Sequence, residues 1–140
     1  VVFTVVAPGP DKRTADARRL FDAGITALAK LLMRFELAPL LFEALESPAG
    51  GAAYLALKSD AYFLKSELCR LEESAPYGRL WDMDVLDPAG KRVERERVGY
   101  AERTCIVCGR PGRGCASRRL HPLAEVLAAA HALADTLPEA

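Results

Sequence analysis

The sequence has 140 residues and a mass of 15.2 kDa, which suits one domain with a single core. Hydrophobic residues make up 51% and charged residues 27% of the chain, as in soluble globular proteins. Nineteen basic and nineteen acidic side chains cancel, which argues against a polybasic nucleic-acid or membrane-surface binder. Neither a signal peptide nor an apolar run of ~18 residues is visible. We therefore expect a cytoplasmic protein with no nucleic-acid and no membrane partner.

Hydrophobic periodicity and turn residues predict elements in the order β-α-β-β-α-β. They are a strand at residues 1–7, a helix over 14–35, strands at 37–46 and 52–58, a helix over 59–74 and a strand at 80–87. Thr14 is a typical N-cap for the first helix, and Ser59 or Asp60 for the second. Pro76 and Gly78 are expected to end the second helix.

This element order predicts an α+β protein, a ferredoxin-like split βαβ sandwich with helices on one face of an antiparallel sheet. The composition of residues 87–90 predicts a turn, after which Lys91–Val98 would return as an added hairpin arm. Its charged residues Glu94 to Arg97 would form an exposed strand with cross-strand ion pairs. We expect one domain, with an α+β core at residues 1–98 and a Cys-bearing loop and C-terminal helix at 99–140.

The stretch GRLWDMDVLD carries a pair of acidic residues on a predicted strand. Because alternate side chains share a face, Asp82 and Asp84 would lie together with Cα atoms roughly 6.5 Å apart. Two neighbouring carboxylates with only oxygen ligands suit Mg²⁺ and substrate phosphates. Arg79 would lie on the same face if the strand begins that early, where it could clamp a phosphate. The alternative is that the two carboxylates mark the solvated face of an edge strand.

Three of the four cysteines cluster near the C-terminus. Cys105, Cys108, Cys115 and His121 have the spacing of a closed structural Zn²⁺ site. A second interpretation keeps the thiols free, in a substrate-binding loop rich in arginine. A redox role for the C-x-x-C pair is a third, although no thioredoxin-like strand leads into it. Cys69 lies mid-helix and is expected to be buried and inert.

Two blocks of sequence resemble a known family. Residues 76–127 contain G-R-L-x-D-x-D-V, a D-x-x-G turn, a basic run into C-x-x-C-x-x-P, and C-x-x-x-R-x-H before a helix. The N-terminal VVFTVVAPGPDKR and RRLFDAGITAL are similar to the same family's first strand, loop and helix. The family is the apo-citrate lyase phosphoribosyl-dephospho-CoA transferases, the holo-acyl-carrier-protein synthases of citrate lyase. The resemblance covers nearly the whole chain.

The resemblance implies a nucleotidyltransferase-type enzyme. It would attach 2'-(5''-phosphoribosyl)-3'-dephospho-CoA from a triphosphoribosyl donor to a serine of the citrate lyase acyl carrier protein, releasing pyrophosphate. Asp82 and Asp84 would hold Mg²⁺ at the phosphates, with Arg79 as a catalytic phosphate clamp. Substrate-binding residues would be Lys12, Arg113, Arg118 and Arg119. The nucleophile would belong to the carrier protein.

Two alternatives remain open at this point. A non-catalytic, zinc-stapled ferredoxin-like module could bind a partner, and a sibling enzyme could load a malonate decarboxylase carrier instead. The resemblance also implies a basic segment upstream of the first strand that is not among these 140 residues.

Overall fold

The structure is a computed structural model that describes residues 1–139, and it confirms the α+β class. The strands and helices are β1 (Val2–Val5), α1 (Ala15–Arg34), β2 (Leu41–Ser47), β3 (Gly50–Ala56), α2 (Ala61–Glu72), β4 (Trp81–Asp84), α3 (Gly112–Arg118) and α4 (Leu123–Ala134). Short 3₁₀ helices cover Pro76–Leu80 and Arg95–Val98. The first six elements therefore occur in the order that the sequence predicts.

The four strands form one sheet in the order β2-β3-β1-β4, with every neighbouring pair antiparallel. Phe3 on β1 is opposite Ala53 on β3 and Met83 on β4, and all three side chains are buried. Asp82 is opposite Thr4, so it lies on the other face of the sheet. The strand alternation thus places the acidic pair away from the core.

Both long helices pack on the Phe3 face of the sheet and build the main core. Thr14 caps α1, because its side chain accepts a hydrogen bond from the Ala17 backbone N–H at 3.2 Å. Asp60 caps α2 in the same way. The helix α1 approaches β1 so closely that a Cβ at Gly24 would lie 2.1 Å from the Phe3 ring. Glycine is therefore required at this crossing.

The predicted hairpin arm is right at its start and wrong beyond it. The Val93 N–H donates to the Val85 carbonyl at 2.9 Å and the Asp87 N–H to the Lys91 carbonyl at 2.8 Å, around an isolated bridge between Leu86 and Arg92. Arg95–Val98, however, is a 3₁₀ helix and not a strand. Arg95 is buried, not exposed, and forms ion pairs with Glu72 and Glu73 at the end of α2. These contacts hold the segment Arg95–Val98 against α2, so it does not add a strand to the sheet.

The C-terminal region also differs in detail from the prediction. Helix α3 forms inside the segment expected to be a loop, whereas α4 is the predicted C-terminal helix and begins directly after Pro122. On α4 the large residues Leu123 and Leu127 are exposed and the small Ala130 and Ala134 are buried, because small side chains allow close approach to neighbouring elements. Among residues 1–139, no helix is long and apolar enough to cross a membrane.

Candidate active site

The outer edge of β4 is bound by side chains of α2 instead of by another strand. Lys65 Nζ donates a hydrogen bond to the Met83 carbonyl at 2.9 Å, and the Met83 N–H donates to Glu72 Oε1 at 2.9 Å. Both backbone groups at the centre of the edge strand are thereby satisfied. The two contacts fix the backbone of Met83 at both its N–H and its carbonyl, and Asp82 and Asp84 are the residues directly before and after it.

A cavity of about 320 Å³ lies beside this edge, and its wall is dominated by charged side chains. The cations are Lys65, Arg79, Arg92, Arg95, Arg103 and Arg113, and the acids are Glu72, Asp82, Asp84 and Glu94. Cations outnumber acids, although the whole chain is electrically neutral. Clefts lined mainly by one sign of charge concentrate ligands of the opposite sign. The wall therefore suits an anionic ligand.

Each carboxylate of the acidic pair has an arginine beside it. Arg92 Nη2 lies 3.0 Å from Asp84 Oδ1, and Arg103 Nη1 lies 4.0 Å from Asp82 Oδ1. Both carboxylates are partly accessible, with side chains 42% exposed for Asp82 and 27% for Asp84. The partly exposed carboxylate oxygens are therefore accessible to a divalent cation from the cavity.

Two arginines of the wall, Arg79 and Arg103, are held by backbone carbonyls. Arg79 donates from Nε and Nη2 to the Thr104 carbonyl at 2.9 and 2.7 Å. Arg103 Nη2 donates in turn to the Arg79 carbonyl. Burial, and then the nearby charge of Arg103, lower the pKa of Arg79 to about 10. An anion placed between these like charges would relieve their repulsion.

Arg95 and Glu72 form the buried part of the wall. The Arg95 guanidinium bonds Glu72 Oε2 through Nη1 and Glu73 Oε1 through Nη2, the latter at 2.6 Å. Burial raises the pKa of Glu72 above its ordinary value, against the opposing effect of Arg103 and other cations. Because Glu72 also accepts from Met83, this pair connects the 3₁₀ helix at residue 95 to the edge strand.

Four of the seven predicted catalytic and substrate-binding residues line this cavity, namely Asp82, Asp84, Arg79 and Arg113. The other three lie elsewhere. Lys12 donates to the Ala7 carbonyl and lines a smaller cavity near the β2–β3 hairpin. Arg118 and Arg119 are exposed at the end of α3.

Sequence reasoning missed Lys65, Glu72, Arg92, Arg95 and Arg103. Lys65 and Glu72 are seven residues apart and fall on the buried stripe of α2. Charged residues at core positions of an amphipathic helix could have identified them. No comparable pattern exists in KRVERERVGYAER, where charges alternate almost residue by residue.

The cysteine cluster forms beside this cavity. Ligand atoms of Cys105, Cys108, Cys115 and His121 all lie within 4.8 Å of one another. The four thiols of the described chain are free, and Cys108 Sγ is 3.5 Å from Cys115 Sγ. A hydrogen bond from Arg110 lowers the pKa of Cys108 to about 6, and the contact with Cys108 raises the pKa of Cys115 to about 11. As predicted, Cys69 is buried in α2.

Comparison with known proteins gives consistent results. Residues 1–137 match the model of the family described as apo-citrate lyase phosphoribosyl-dephospho-CoA transferase. A transferase of that name from Citrobacter koseri is 38% identical over 133 residues, which are 95% of this chain and 73% of that protein. Proteins of the same name from Escherichia coli O139:H28 and, with the same figures, Shigella boydii serotype 18 are 39% identical over 127 residues, covering 91% of this chain and 69% of theirs.

Proposed function

Because the chain belongs to the apo-citrate lyase phosphoribosyl-dephospho-CoA transferase family and is an enzyme, we propose that it loads the prosthetic group onto the citrate lyase acyl carrier protein. The donor is the triphosphoribosyl precursor, the acceptor is a serine of the carrier protein, and pyrophosphate leaves. The observation that carries this proposal is the cavity at β4, where two carboxylates meet a cationic wall. A non-catalytic binding module would not need that combination.

The arginines of the cavity provide the phosphate-binding part of the site. Guanidinium groups bind phosphate oxygens through paired N–H donors. Arg79 is held on Thr104 and Arg103 on Arg79, so neither group has to be ordered when the donor binds. Such preorganised cations favour the charge that develops on departing pyrophosphate. Arg79 and Arg103 are therefore proposed to contact the donor's phosphates directly.

Asp82 and Asp84 are proposed to hold Mg²⁺. Both carboxylates line one cavity and both are partly exposed, so their oxygens are accessible to a cation. The donor set therefore fits an oxygen-ligated divalent cation that also binds substrate phosphates. Bound there, Mg²⁺ would withdraw charge from the phosphorus and stabilise the leaving pyrophosphate. Arg92, which pairs with Asp84, would then be free to turn towards the phosphates.

The remaining predicted cations have separate proposed roles. Arg113 lines the cavity and pairs with Glu96 at 3.0 Å, so it can exchange that partner for a donor phosphate. Arg118 and Arg119 lie outside the cavity on an exposed end of α3. That position suits contact with an acidic surface of the carrier protein. For Lys12 a phosphate contact stays a prediction, since it lines another cavity.

Two broader proposals accompany this function. The position of β3 between β1 and β2 supports assignment to the ferredoxin-like split βαβ sandwiches. The free state of the four described cysteines supports a cytoplasmic location, since reducing compartments keep thiols reduced.

The direct test measures the intact mass of citrate lyase acyl carrier protein after incubation with this enzyme, Mg²⁺ and the triphosphoribosyl donor. The wild type is expected to add the mass of the prosthetic group. Asp82→Asn is expected to lower the transfer rate at least about 100-fold, as loss of an electrostatic catalytic group does. Asp22→Asn is a matched control, because Asp22 is exposed on α1 and remote from the cavity.

Two outcomes would contradict the proposal at different levels. Equal rates for Asp82→Asn and wild type, with both folded by circular dichroism, would exclude the proposed metal site. Absence of any mass gain with citrate lyase carrier, together with a gain on a malonate decarboxylase carrier, would reassign the acceptor.

A further inference from the structure

We propose that Cys105, Cys108, Cys115 and His121 bind one Zn²⁺ ion as a closed structural site. Three thiolates and one imidazole are a common ligand set of four-coordinate structural zinc. The inference goes beyond the transfer reaction, because this ion would stabilise the fold of the C-terminal region and would not contact substrate.

The distances fit a tetrahedral ion. All four ligand atoms lie within 4.8 Å of one another. With Zn–S bonds of about 2.3 Å, two sulfurs of a tetrahedral site are about 3.8 Å apart. Cys108 Sγ and Cys115 Sγ are 3.5 Å apart, so an ion requires only small side-chain adjustments. A disulfide would instead need a separation of about 2.05 Å.

The backbone shapes the loop around the ligands. The Cys105 N–H donates to the Arg110 carbonyl at 2.7 Å, and the Gly109 N–H donates to the Cys105 carbonyl at 3.0 Å. Gly109 has a φ of 72°, a left-handed conformation that glycine adopts without steric cost. The tight turn directs Cys105 and Cys108 to one side, and α3 brings Cys115 to the same place.

His121 supplies an independent observation. Its Nε2 atom is buried and has no hydrogen-bond partner within residues 1–139. A buried polar atom without a partner costs free energy, and a bound ion would satisfy it. The other ring nitrogen, Nδ1, lies 3.9 Å from Glu125 Oε2. That distance is too long for a hydrogen bond, but a rotation of the exposed Glu125 side chain would bring its carboxylate to the nitrogen that does not bind metal, where such a partner orients a ligating histidine.

The cluster is also connected to the cavity wall. Thr104, which accepts both hydrogen bonds from Arg79, directly precedes Cys105. The Gly112 N–H, at the start of the helix that carries Cys115, donates to the Arg103 carbonyl at 2.9 Å. Loss of zinc should therefore loosen Arg79 and Arg103. The resulting rise in KM for the donor rests on the proposed function, whereas metal binding itself does not.

The test is elemental analysis of the purified full chain after dialysis against metal-free buffer. We expect about one zinc per chain for the wild type. Cys115→Ser and His121→Ala should each retain less than about a tenth of that zinc under the same dialysis. Cys69→Ala is the matched control and should keep its zinc, because Cys69 lies in α2 outside the cluster.

A second measurement covers the case in which the ligand variants fail to fold. Wild-type protein reconstituted with Co²⁺ should show thiolate-to-cobalt charge transfer and the intense visible bands of tetrahedral cobalt. Wild type with less than about a tenth of a zinc per chain and no such bands would overturn the proposal. Full zinc retention in folded Cys115→Ser would also overturn it, as would a Cys108–Cys115 disulfide in the wild type. Zinc bound without transferase activity would count against the proposed function alone.

Discussion

The two edges of the sheet are built on opposite principles. At β4, Lys65 and Glu72 bond the backbone of Met83, and a charged cavity lies beside them. At the other edge, all seven residues of β2 are exposed, among them Leu41, Phe42 and Leu45 at 50–51%. One edge is bound by buried charges, and the other faces solvent with apolar side chains.

This contrast indicates where function can be located on a small sheet. In an open edge strand, water forms hydrogen bonds with the unpaired backbone N–H and carbonyl groups, so no neighbouring side chain is needed to bind them. An edge bound by buried charges requires partners for each of them, and those partners come from α2 and from the segment after β4. The proposed active site lies at the edge where the chain already supplies ionic groups.

The largest expected effect comes from removing a charge at the β4 edge. Glu72→Gln should destabilise the fold by about 3 kcal/mol, because it leaves Arg95 buried with Glu73 as its remaining ion-pair partner. Urea denaturation followed by circular dichroism measures the change. Glu73→Gln is the control; its side chain is 56% exposed, and it should cost less than about 1 kcal/mol. If the two variants lost equal free energy of unfolding, the buried pair of Arg95 with Glu72 would contribute no more than the exposed contact with Glu73.

A smaller loss is expected from the second bond to the edge strand. Lys65→Met keeps the length of the side chain but removes the donor to the Met83 carbonyl. Leaving that buried carbonyl without a partner should cost about 1–2 kcal/mol in the same denaturation assay. The exposed Lys30 of α1 gives the matched variant, Lys30→Met, for which no measurable loss is expected. If Lys65→Met left the free energy of unfolding unchanged, water would be replacing the lysine as the donor to the Met83 carbonyl.

The β2 edge should tolerate truncation. Leu45→Ala is expected to change the free energy of unfolding by less than about 0.5 kcal/mol, because half of that side chain is already exposed. The same substitution at Leu55, buried on the neighbouring strand β3, should cost about 2–4 kcal/mol. If Leu45→Ala were as costly as Leu55→Ala, β2 would be covered in solution and the contrast between the edges would fail.

An exposed ion pair away from both edges gives the smallest effect. His131 Nδ1 on α4 lies 2.6 Å from Asp16 Oδ2 on α1, and this hydrogen bond raises the pKa of His131 above its ordinary 6.5. The contact therefore stabilises the fold fully below pH 6.5, and this contribution is lost as pH rises through the folded-state pKa. An NMR titration of the imidazole measures that pKa. Asp16→Asn should lower it, whereas Asp22→Asn should not.

The secondary structure of the first 84 residues was largely predictable because it depends on local signals. Thr14 and Asp60 cap the two long helices as their side chains predict. The alternation around Met83 correctly placed Asp82 and Asp84 on one face. Element boundaries moved by a few residues, since turns rather than propensity set the strand ends.

Beyond β4 the local signals failed. Alternating charges in Glu94–Arg97 are typical of an exposed arm, and no local rule distinguishes Arg95 from its neighbours. Arg95 is buried because α2 presents Glu72 and Glu73 to it, and that contact spans more than twenty residues of chain. Arg92 and Arg103 were also missed because their ion-pair partners, the carboxylates of β4, lie in another segment of the chain.

The sequence by itself determined the helices and strands up to β4, the C-terminal helix, the shared face of Asp82 and Asp84, the spacing of the cysteines and membership of the transferase family. Periodicity, capping and spacing are properties of neighbouring residues, so they can be read directly from the chain. Only the tertiary structure decided which charges are buried and which arginines meet the acidic pair. Those outcomes depend on ion pairs and packing between distant segments, whose free energies exist only once the chain is folded.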